Sequence, residues 1–314
     1  MAEGGGDLDL GAVRAFVAVI EERYFSQAAA RLGISQQAVS KRIARLESDL
    51  GLRLCSRSRN GAEPTEDGLA FLPHARALIG IADRAREVLG GRRRTLRVDV
   101  LDTRLAAVID VIRAFHDRSE GVDVELVTSN GLRTARTTLA RGSVDAAFCR
   151  VSGPLEDLDS VPAHLEPLHL LVARGNPLAG RQAIRVAELA GSTVWMPGNA
   201  PGSEWAEYYR LLGAAFDIGI DASGPDFGWE HFVADVAAGR RVSLVGEGTL
   251  VPRHPEIMRI PLVDPTPVYP CSLLFHRHNH QSVLEAFIRF VTARYLRFDP
   301  GRQWLPEADR ASFS

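Results

Sequence analysis

Residues 35–47 read SQQAVSKRIARLE, and the spacing of their side chains decides what the N-terminal part of the chain is. At about 100° per residue, four apolar side chains fall on one face of a helix: Val39, Ile43, Leu46 and Leu50. The remaining surface has no carboxylate before Glu47 and carries amides, hydroxyls and cations: Gln36, Gln37, Ser40, Lys41 and Arg45. This surface is either an ordinary solvated face or a face that reads the edges of bases, and the neighbouring sequence must decide.

A shorter helix is predicted just before this one. Ser26 is the expected N-cap of a helix with the sequence QAAARL, Gly33 ends it, and Ser35 caps the helix from about 36 to 50. An amphipathic helix over residues 8–21 precedes both. Two helices joined by about four residues that include glycine, with alanines where they approach, are typical of a helix-turn-helix.

A basic hairpin is predicted after these helices. The stretch LRLCSRSRNGAEPT at 52–65 reads as two short strands, with Arg57 and Arg59 near the tip. Residues 23–59 carry eight Lys and Arg side chains against two acids, although the whole chain has a formal net charge of −2. A basic segment on an otherwise acidic chain indicates that one region faces phosphate.

A long helix is predicted from Thr65, its N-cap, to Leu89, and the sequence GGRRR at 90–94 is expected to end it as a hinge. Its apolar residues, with Leu69 among them, are expected on one side. A solitary helix of this length needs a partner for its stripe. We therefore predict a symmetric dimer that buries Leu72, Leu78, Ile81, Ala85 and Val88.

From Leu96 onwards short β-branched runs alternate with helical segments, which is typical of an α/β region with a largely parallel sheet. We predict two lobes, about 95–166 with 268–300 and about 167–267. Two crossings, near 164–167 and 262–267, would join them around a cleft. The tail after Pro300 is expected to be mobile.

Composition limits the function classes. The 314 residues contain no apolar run of about 18 residues, and the N-terminus has no export signal, so a soluble cytoplasmic protein is expected. Three scattered cysteines, Cys55, Cys149 and Cys271, fit a reducing compartment without disulfides.

The stretch AVRAFVAVIEERYFSQAAARLGISQQAVSKRIARLESDLGLRLCSRS at 12–58, with TEDG at 65–68, resembles the N-terminal domain of LysR-type transcriptional regulators. The similarity is dense over residues 10–70 and weaker over 95–298, where GSVDAAF, GNPLAG and VADVAAGRRVSLV resemble family segments. It implies an α+β multidomain fold: a winged helix-turn-helix at 8–65, a dimerising linker helix and hinge at 66–94, and at 95–300 an effector domain similar to periplasmic binding proteins. Gln37 stands where the family commonly has Pro or Ser, and Cys55 where it commonly has Phe.

The resemblance also assigns roles to residues near the DNA. The helix from Gln36 is expected to enter the major groove, where an amide can bridge adenine N6 and N7. Cations on the wing are expected to position the protein through phosphates without reading sequence. The complete set expected to contact DNA is Ser26, Ser35, Gln36, Gln37, Ser40, Lys41, Arg42, Arg57 and Arg59.

Ligands of two-lobed α/β folds lie beyond the carboxyl ends of strands and face helix N-termini. Reading each predicted strand to its end gives a candidate effector site of Thr103, Arg104, Ser129, Asn130, Arg150, Asn199, Gly202, Ser203 and Phe227. Two arginines and several hydroxyls favour a carboxylate on a small metabolite, with Phe227 or Trp195 against its apolar part. In the alternative, Arg104 and Arg150 only pair with Asp102 and surface acids.

Other chemistry has weaker support. The run His276, His278, His280 could face a metal on a strand, but it has no Cys or carboxylate within it, so a solvated loop is favoured. Cys149 and Cys271 could form a thiol switch but read as buried core residues. Ser203 lacks the context of a nucleophile. We therefore expect no enzyme, cofactor or metal, and the alternatives are a solute-binding receptor or an enzyme built on the lobes.

The expected partners follow from this interpretation. They are double-stranded DNA with a partly palindromic operator, a small-molecule effector that is a carboxylate, further copies of the chain in a homodimer that assembles to a homotetramer, and RNA polymerase. No membrane is expected.

Overall fold

The computed structural model describes residues 8–58, 61–89, 94–224 and 226–314. The chain forms two compact units, Met1–Arg92 with Ala140–Ser143, and Arg93–Leu139 with Val144–Ser314. Each unit has its own apolar core.

The first unit is a winged helix. Its elements are α1 (Leu10–Glu22), α2 (Phe25–Leu32), α3 (Gln36–Leu50), β1 (Cys55–Ser58), β2 (Gly61–Pro64) and α4 (Glu66–Leu89). The core contains the apolar face predicted for α3, with Val39, Ile43 and Leu46 all buried. The Ser35 hydroxyl accepts a hydrogen bond from the Ala38 N–H at 3.2 Å, which confirms the predicted cap of α3.

The predicted cap of α2 is wrong. Tyr24 occupies the N-cap position without a side-chain hydrogen bond, and Ser26 lies exposed in the first turn. Phe25 packs against the core of the unit, and this contact stands at the start of the helix in place of a hydroxyl cap.

The wing is held by contacts that account for two motifs in the sequence. Glu47 Oε1 accepts hydrogen bonds from the N–H groups of Leu54 at 2.8 Å and Cys55 at 3.0 Å, so the LE pair fixes the start of β1. At Gly68, a Cβ atom would lie 2.1 Å from the Leu54 carbonyl oxygen. Only glycine therefore lets α4 pass the wing, and Thr65 caps that helix through the Gly68 N–H at 3.0 Å.

The apolar residues of α4 lie on two different faces. Phe71, Leu72 and Ile79 pack against the core of the winged helix, whereas Leu78 is 38% and Ile81 56% exposed. Leu72 and Ile81 are nine residues apart and so point in opposite directions on a helix. Leu72 therefore packs on its own unit and does not share the outward side of Ile81, and the side chain of Val88 lies outside the described residues.

The second unit is built on a nine-stranded sheet, ordered β4-β3-β5-β12-β6-β11-β7, with β10 paired to β6 and β13 to β12. Its elements are β3 (Arg94–Val100), α5 (Ala106–Arg118), β4 (Val122–Thr128), α6 (Leu132–Ala140), β5 (Ala146–Cys149), β6 (Leu158–Ala173), β7 (Ile184–Arg185), a 3-10 helix (Val186–Leu189), β8 (Thr193–Trp195), α7 (Glu204–Phe216), β9 (Gly219–Asp221), α8 (Trp229–Ala237), β10 (Ser243–Gly246), β11 (Ile257–Val263), β12 (Thr266–His276), α9 (Ser282–Arg294), β13 (Gln303–Trp304) and α10 (Glu307–Phe313).

Two long strands run through both halves of this unit. Lobe 1 is the half built on β3, β4 and β5, and lobe 2 is the half built on β7 to β11. The first part of β6 pairs with β12, and its last part pairs with β10 and β11. The pairs within lobe 1 among β3, β4 and β5 are parallel, as predicted, but β6 is antiparallel to β10, β11 and β12.

The prediction of a mobile tail after Pro300 is wrong. β13 pairs with β12, and α10 packs back on the unit. Leu305 and Phe313 are buried against Leu165 and Val268 of the two long strands. Burial of these apolar side chains gives a short segment a fixed place.

Candidate functional site

The first two turns of α3 present the predicted base-reading surface. Gln36, Gln37 and Lys41 are exposed, and Ser40 is half-buried. These residues lie at the N-terminal end of a helix, where the backbone dipole favours a negative partner such as phosphate. The surface is thus polar and free of acids.

Several cations of the first unit are paired with acids of the same unit. Arg31 bonds to Glu21 at 2.9 Å and Glu22 at 3.0 Å, and Arg53 lies 3.6 Å from Glu47. Lys41 forms no ion pair with any residue that the structure describes. Its ammonium group is therefore available to a phosphate.

Other residues predicted at the DNA differ in placement. Ser35 is exposed and serves as the cap of α3, and Ser26 is exposed on α2. Arg42 is half-buried beside the start of α1, where a Cβ on Gly11 would lie 3.5 Å from its guanidinium. The side chain of Arg57 and the whole of Arg59 fall outside the described residues.

A cavity of about 790 Å³ lies between the two lobes of the second unit. Lobe 2 contributes a loop that runs from Met196 to Ser203 and four aromatic side chains: Trp205, Tyr209, Trp229 and Phe232. Lobe 1 contributes three leucines and a set of polar side chains: Leu101, Asp102, Leu105, Asn130, Leu132, Arg133, Arg136 and Ser152. A concave, partly aromatic site with a few polar groups is the usual form of a small-molecule site.

Two hydrogen bonds between the lobes flank this cavity. Glu204 Oε1 of lobe 2 accepts the Leu132 N–H at the start of α6 at 2.9 Å. On the other side, the Trp229 indole donates to Asp102 Oδ2 at 2.9 Å. Burial raises the pKa of the Glu204 carboxyl, and the hydrogen bond from Leu132 opposes this rise.

The local sequence makes room for the Glu204 contact. Gly131 has φ of +78°, and a Cβ there would lie 2.2 Å from Glu204 Oε1. A side chain at position 131 would therefore both strain the backbone and displace the carboxylate.

Four of the nine predicted effector residues line the cavity: Asn130, Asn199, Gly202 and Ser203. Thr103 and Phe227 are not among the residues that line the cavity; Thr103 is exposed, and Phe227 is 70% exposed. Ser129 does not line the cavity either, because its hydroxyl lies near the buried carboxyl of Asp99.

Both predicted anion-binding arginines are committed to acids. Arg150 is 2% exposed and bonds to Glu207 at 2.9 Å and Asp309 at 3.0 Å, so it is a buried structural cation. Arg104 lies 3.6 Å from Glu230 and 5.9 Å from the centre of the Trp229 ring. Neither lines the cavity, and the placement of both agrees with the alternative of ion pairing.

The cations that do line the cavity are Arg133 and Arg136, which the sequence reasoning missed. They lie one turn apart on α6, in the segment LRTAR that follows the predicted strand end at Asn130. The prediction took only residues at the end of each strand, so it left out residues in the helix that follows. An i, i+3 arginine pair in the first turns of the next helix was the signal that could have found them.

Redox and metal chemistry find no support in the described residues. All three cysteines are buried, and burial raises the pKa of Cys55 and Cys271 to about 12 and that of Cys149 well above its usual value. The part of the chain that the structure describes contains no cluster of three His, Cys, Asp or Glu side chains that could hold a metal ion. Among the described helices, none is long and apolar enough to cross a membrane.

Two family profiles match the chain. The one described as "Bacterial regulatory helix-turn-helix protein, lysR family" matches residues 10–69, and the one described as "LysR substrate binding domain" matches residues 89–295.

Individual proteins are also similar. The chain is 34% identical over 183 residues to the transcriptional regulator ShiR of Corynebacterium glutamicum. The aligned region covers 56% of this chain and 61% of ShiR, which is less than two thirds of that protein. It is 30% identical over 227 residues to BudR of Raoultella terrigena, with 69% and 76% covered. It is 29% identical over 313 residues to the small neutral protease regulatory protein of Streptomyces coelicolor, with 94% and 96% covered.

Solved structures share the fold. A full-length variant of OxyR from Pseudomonas aeruginosa superposes with a TM-score of 0.69 at 20% identity. The superposition covers 94% of this chain and 100% of that one. Full-length CbnR in complex with its target DNA gives a TM-score of 0.66 at 25% identity, over 91% of this chain and 99% of that one.

Proposed function

Because this chain belongs to the LysR family of DNA-binding transcription regulators that respond to effectors, we propose that α3 reads its operator and that the cavity of the second unit takes the controlling small molecule. Family membership favours this function over a solute-binding receptor or an enzyme. We further propose that the protein has no catalytic activity, acts in the cytoplasm and contacts RNA polymerase at its promoters.

One observation carries the DNA-binding proposal. The exposed first turns of α3 hold two amides and an unpaired ammonium group, with no acid among them. Amides can bridge the N6 and N7 edge of adenine, and an ammonium can contact phosphate. The match to the fold of CbnR, solved with its target DNA, supports the same assignment.

Gel shifts with the DNA upstream of its own gene test this proposal. We expect Gln36→Ala to lose about 1 to 3 kcal/mol of binding free energy on the operator and little on random DNA, because the amide reads a base. Ser48→Ala, at the exposed far end of the same helix, is the matched control and should change neither. Equal losses on both DNAs for Gln36→Ala would contradict the assignment.

We propose a homodimer that assembles further to a tetramer, and the outer face of α4 supports the dimer. Leu78 and Ile81 expose apolar surface, and Ala85 is exposed on the same side. Two copies of this face would cover each other in a symmetric pair. A dimer also doubles the DNA-binding unit, as a partly palindromic operator requires.

The effector is proposed to be a small molecule that carries a carboxylate. The cavity is large enough for a metabolite, and two arginines stand on its lobe 1 wall. Arg104 and Arg150 pair with acids and do not line the cavity. We therefore propose that Arg133 and Arg136 bind the carboxylate of the effector.

A further inference from the structure

We propose that the effector is a zwitterion, a small amino acid with an apolar side chain, whose carboxylate binds Arg133 and Arg136 of lobe 1 and whose ammonium group binds Asn199 and Asp226 of lobe 2. This inference rests on the proposed function, since it takes the cavity between the lobes as the effector site. It adds the charge pattern of the ligand and the residues that select it.

The N-terminus of α6 is not available to the ligand's carboxylate. Glu204 already places its own carboxylate there, bonded to the Leu132 N–H, and it is 5% exposed. A second anion at this position would meet like charge at close range. The carboxylate of a ligand must therefore find its partners elsewhere on the lobe 1 wall.

Those partners are the two arginines one turn further along α6. Arg136 donates from Nη2 to the Ser152 carbonyl at 2.9 Å, and its Nε is enclosed without a hydrogen-bond partner. Neither Arg133 nor Arg136 forms an ion pair with a residue in the described ranges. Buried donors are rarely left unpaired in native proteins, so an unpaired guanidinium nitrogen beside a cavity marks a place for an acceptor oxygen.

The lobe 2 wall of the cavity presents hydrogen-bond acceptors, which require a donor on the ligand. Asn199 Oδ1 is enclosed without a hydrogen-bond partner in the described structure. The Asp226 carboxylate lies against the same turn, since a Cβ on Gly198 would be 2.7 Å from its Oδ2. Asp226 forms no ion pair with the residues that the structure describes. Asp226 Oδ1 accepts the Gly228 N–H at 2.8 Å, and its carboxylate and the Asn199 amide oxygen are two acceptors on one wall of the cavity, which suits an ammonium group.

The space between the two walls suits an apolar side chain. Trp205, Trp229 and Phe232 line the lobe 2 side, and Leu101 and Leu105 face them from lobe 1. A ligand with opposite charges at its two ends would contact both lobes at once. Such a molecule satisfies the arginines and the acceptors together.

Titration calorimetry on the full chain tests the proposal with matched probes. The probes are leucine, methionine, phenylalanine and tryptophan, each beside the carboxylic acid that lacks its amino group and the amine that lacks its carboxyl group. We expect at least one of the four amino acids to bind at least about tenfold more tightly than both of its matched compounds, because each charged hydrogen bond is worth that much or more. Failure of all four to bind, or equal binding of the matched acid, would overturn the proposal.

Variants locate the two charges. We expect Arg136→Gln and Asp226→Asn each to raise the dissociation constant at least about tenfold, and Arg136→Lys to recover part of the loss. The matched controls are Arg289→Gln and Glu285→Gln, which change an exposed ion pair on α9 outside the cavity and should leave binding unchanged. Unchanged binding in Arg136→Gln and Asp226→Asn would overturn the assignment.

Gel shifts on the same preparations separate this inference from the proposed function. If a simple carboxylate binds the cavity as well as its amino acid and alters operator binding, the effector function stands and the zwitterion is wrong. If an amino acid binds as expected but no DNA is bound, the ligand class stands and the proposed function is wrong.

Discussion

Arg136 and Arg150 are the same residue type in the same lobe, yet their surroundings give them opposite roles. Arg150 is enclosed by acids from α7 and α10 and holds the lobe to the C-terminal segment. Arg136 has no acid partner in the described structure and lines the cavity. The difference is one of neighbours and not of chemistry.

Removing Arg150 should therefore cost stability. In Arg150→Met, the buried carboxylate of Asp309 loses its counter-charge, and we expect a loss of about 3 to 5 kcal/mol in the free energy of unfolding. Urea unfolding measures this. Arg289→Met is the matched control, because its ion pair with Glu285 is exposed on both sides and should cost less than about 1 kcal/mol. Similar losses in the two variants would contradict the buried role.

Asp99 gives a prediction about pH. It is 2% exposed on β3, and burial raises the pKa of its carboxyl, which the nearby hydroxyls of Ser129 and Thr138 oppose without forming hydrogen bonds of normal geometry. A raised pKa in the folded state means that the native protein binds the proton more tightly than the unfolded chain. This contribution to stability is present at pH below the ordinary value of 3.8 and is lost as pH rises through the raised pKa.

Asp99→Asn should remove this dependence. We expect the variant to unfold at a higher temperature than the natural protein at neutral pH and to show no such gain near pH 3.5, measured by calorimetry across that range. Asp123→Asn, on the neighbouring edge strand and half-buried, is the control. A gain of the same size at both pH values would show that the charge of Asp99 is not the cause.

At this scale the sequence predicts residue types better than residue roles. The strand-end argument found Asn130 and Asn199 because both directly follow or flank strands. It selected the wrong arginines because the partner of Arg150 is Asp309, 159 residues away in a segment that has no periodic signal. When a residue is buried by a segment far away in the sequence, its burial cannot be predicted from its own local sequence.

At the scale of elements, α3 and α4 differ in how far their sequences determine them. The limits and core face of α3 follow from a regular apolar repeat, a cap at Ser35 and a glycine at 51. The apolar residues of α4 were assigned to one stripe, although they serve two surfaces. Periodicity alone does not reveal that Phe71 and Leu72 meet the core of the winged helix.

The outward face of α4 can be tested directly. We expect Ile81→Asp to convert the protein to monomers and to weaken operator binding, because a charge would replace the apolar contact between two copies. Light scattering at micromolar concentration measures the mass. The matched control is Ala44→Asp, at an exposed alanine on α3, which should leave the mass unchanged. A natural protein that is already monomeric would contradict the proposed dimer.

At the scale of the whole molecule, the C-terminal segment determines how the two lobes are held. Leu305 and Phe313 pack on β6 and β12 where these strands pass between the lobes, and Asp309 reaches Arg150. The sequence predicted two lobes joined by two crossings, because alternating strands and helices carry that signal. The last 14 residues, 301–314, contain only two strand residues and a seven-residue helix, which are too short for a periodic pattern.

Leu305→Ala should destabilise the second unit. Its side chain is fully buried, and such changes cost about 2 to 5 kcal/mol in the free energy of unfolding. Urea unfolding followed by the tryptophan signal measures this, since Trp304 is the preceding residue. Leu296→Ala is the matched control, because Leu296 is 84% exposed and should cost little. A negligible cost at Leu305 would mean that the segment is not anchored.

The sharing of β6 and β12 has a consequence for synthesis on the ribosome. β12 lies between β5 and β6 in the sheet, so the sheet of lobe 1 keeps two open edges until residue 276 has emerged. Lobe 2 is inserted in the chain before that point, and β6, β10, β11 and β7 can already pair. Lobe 2 can therefore fold first during translation. Lobe 1 must wait for the long-range pairing of β12, and until then its open strand edges need protection from association with other nascent chains.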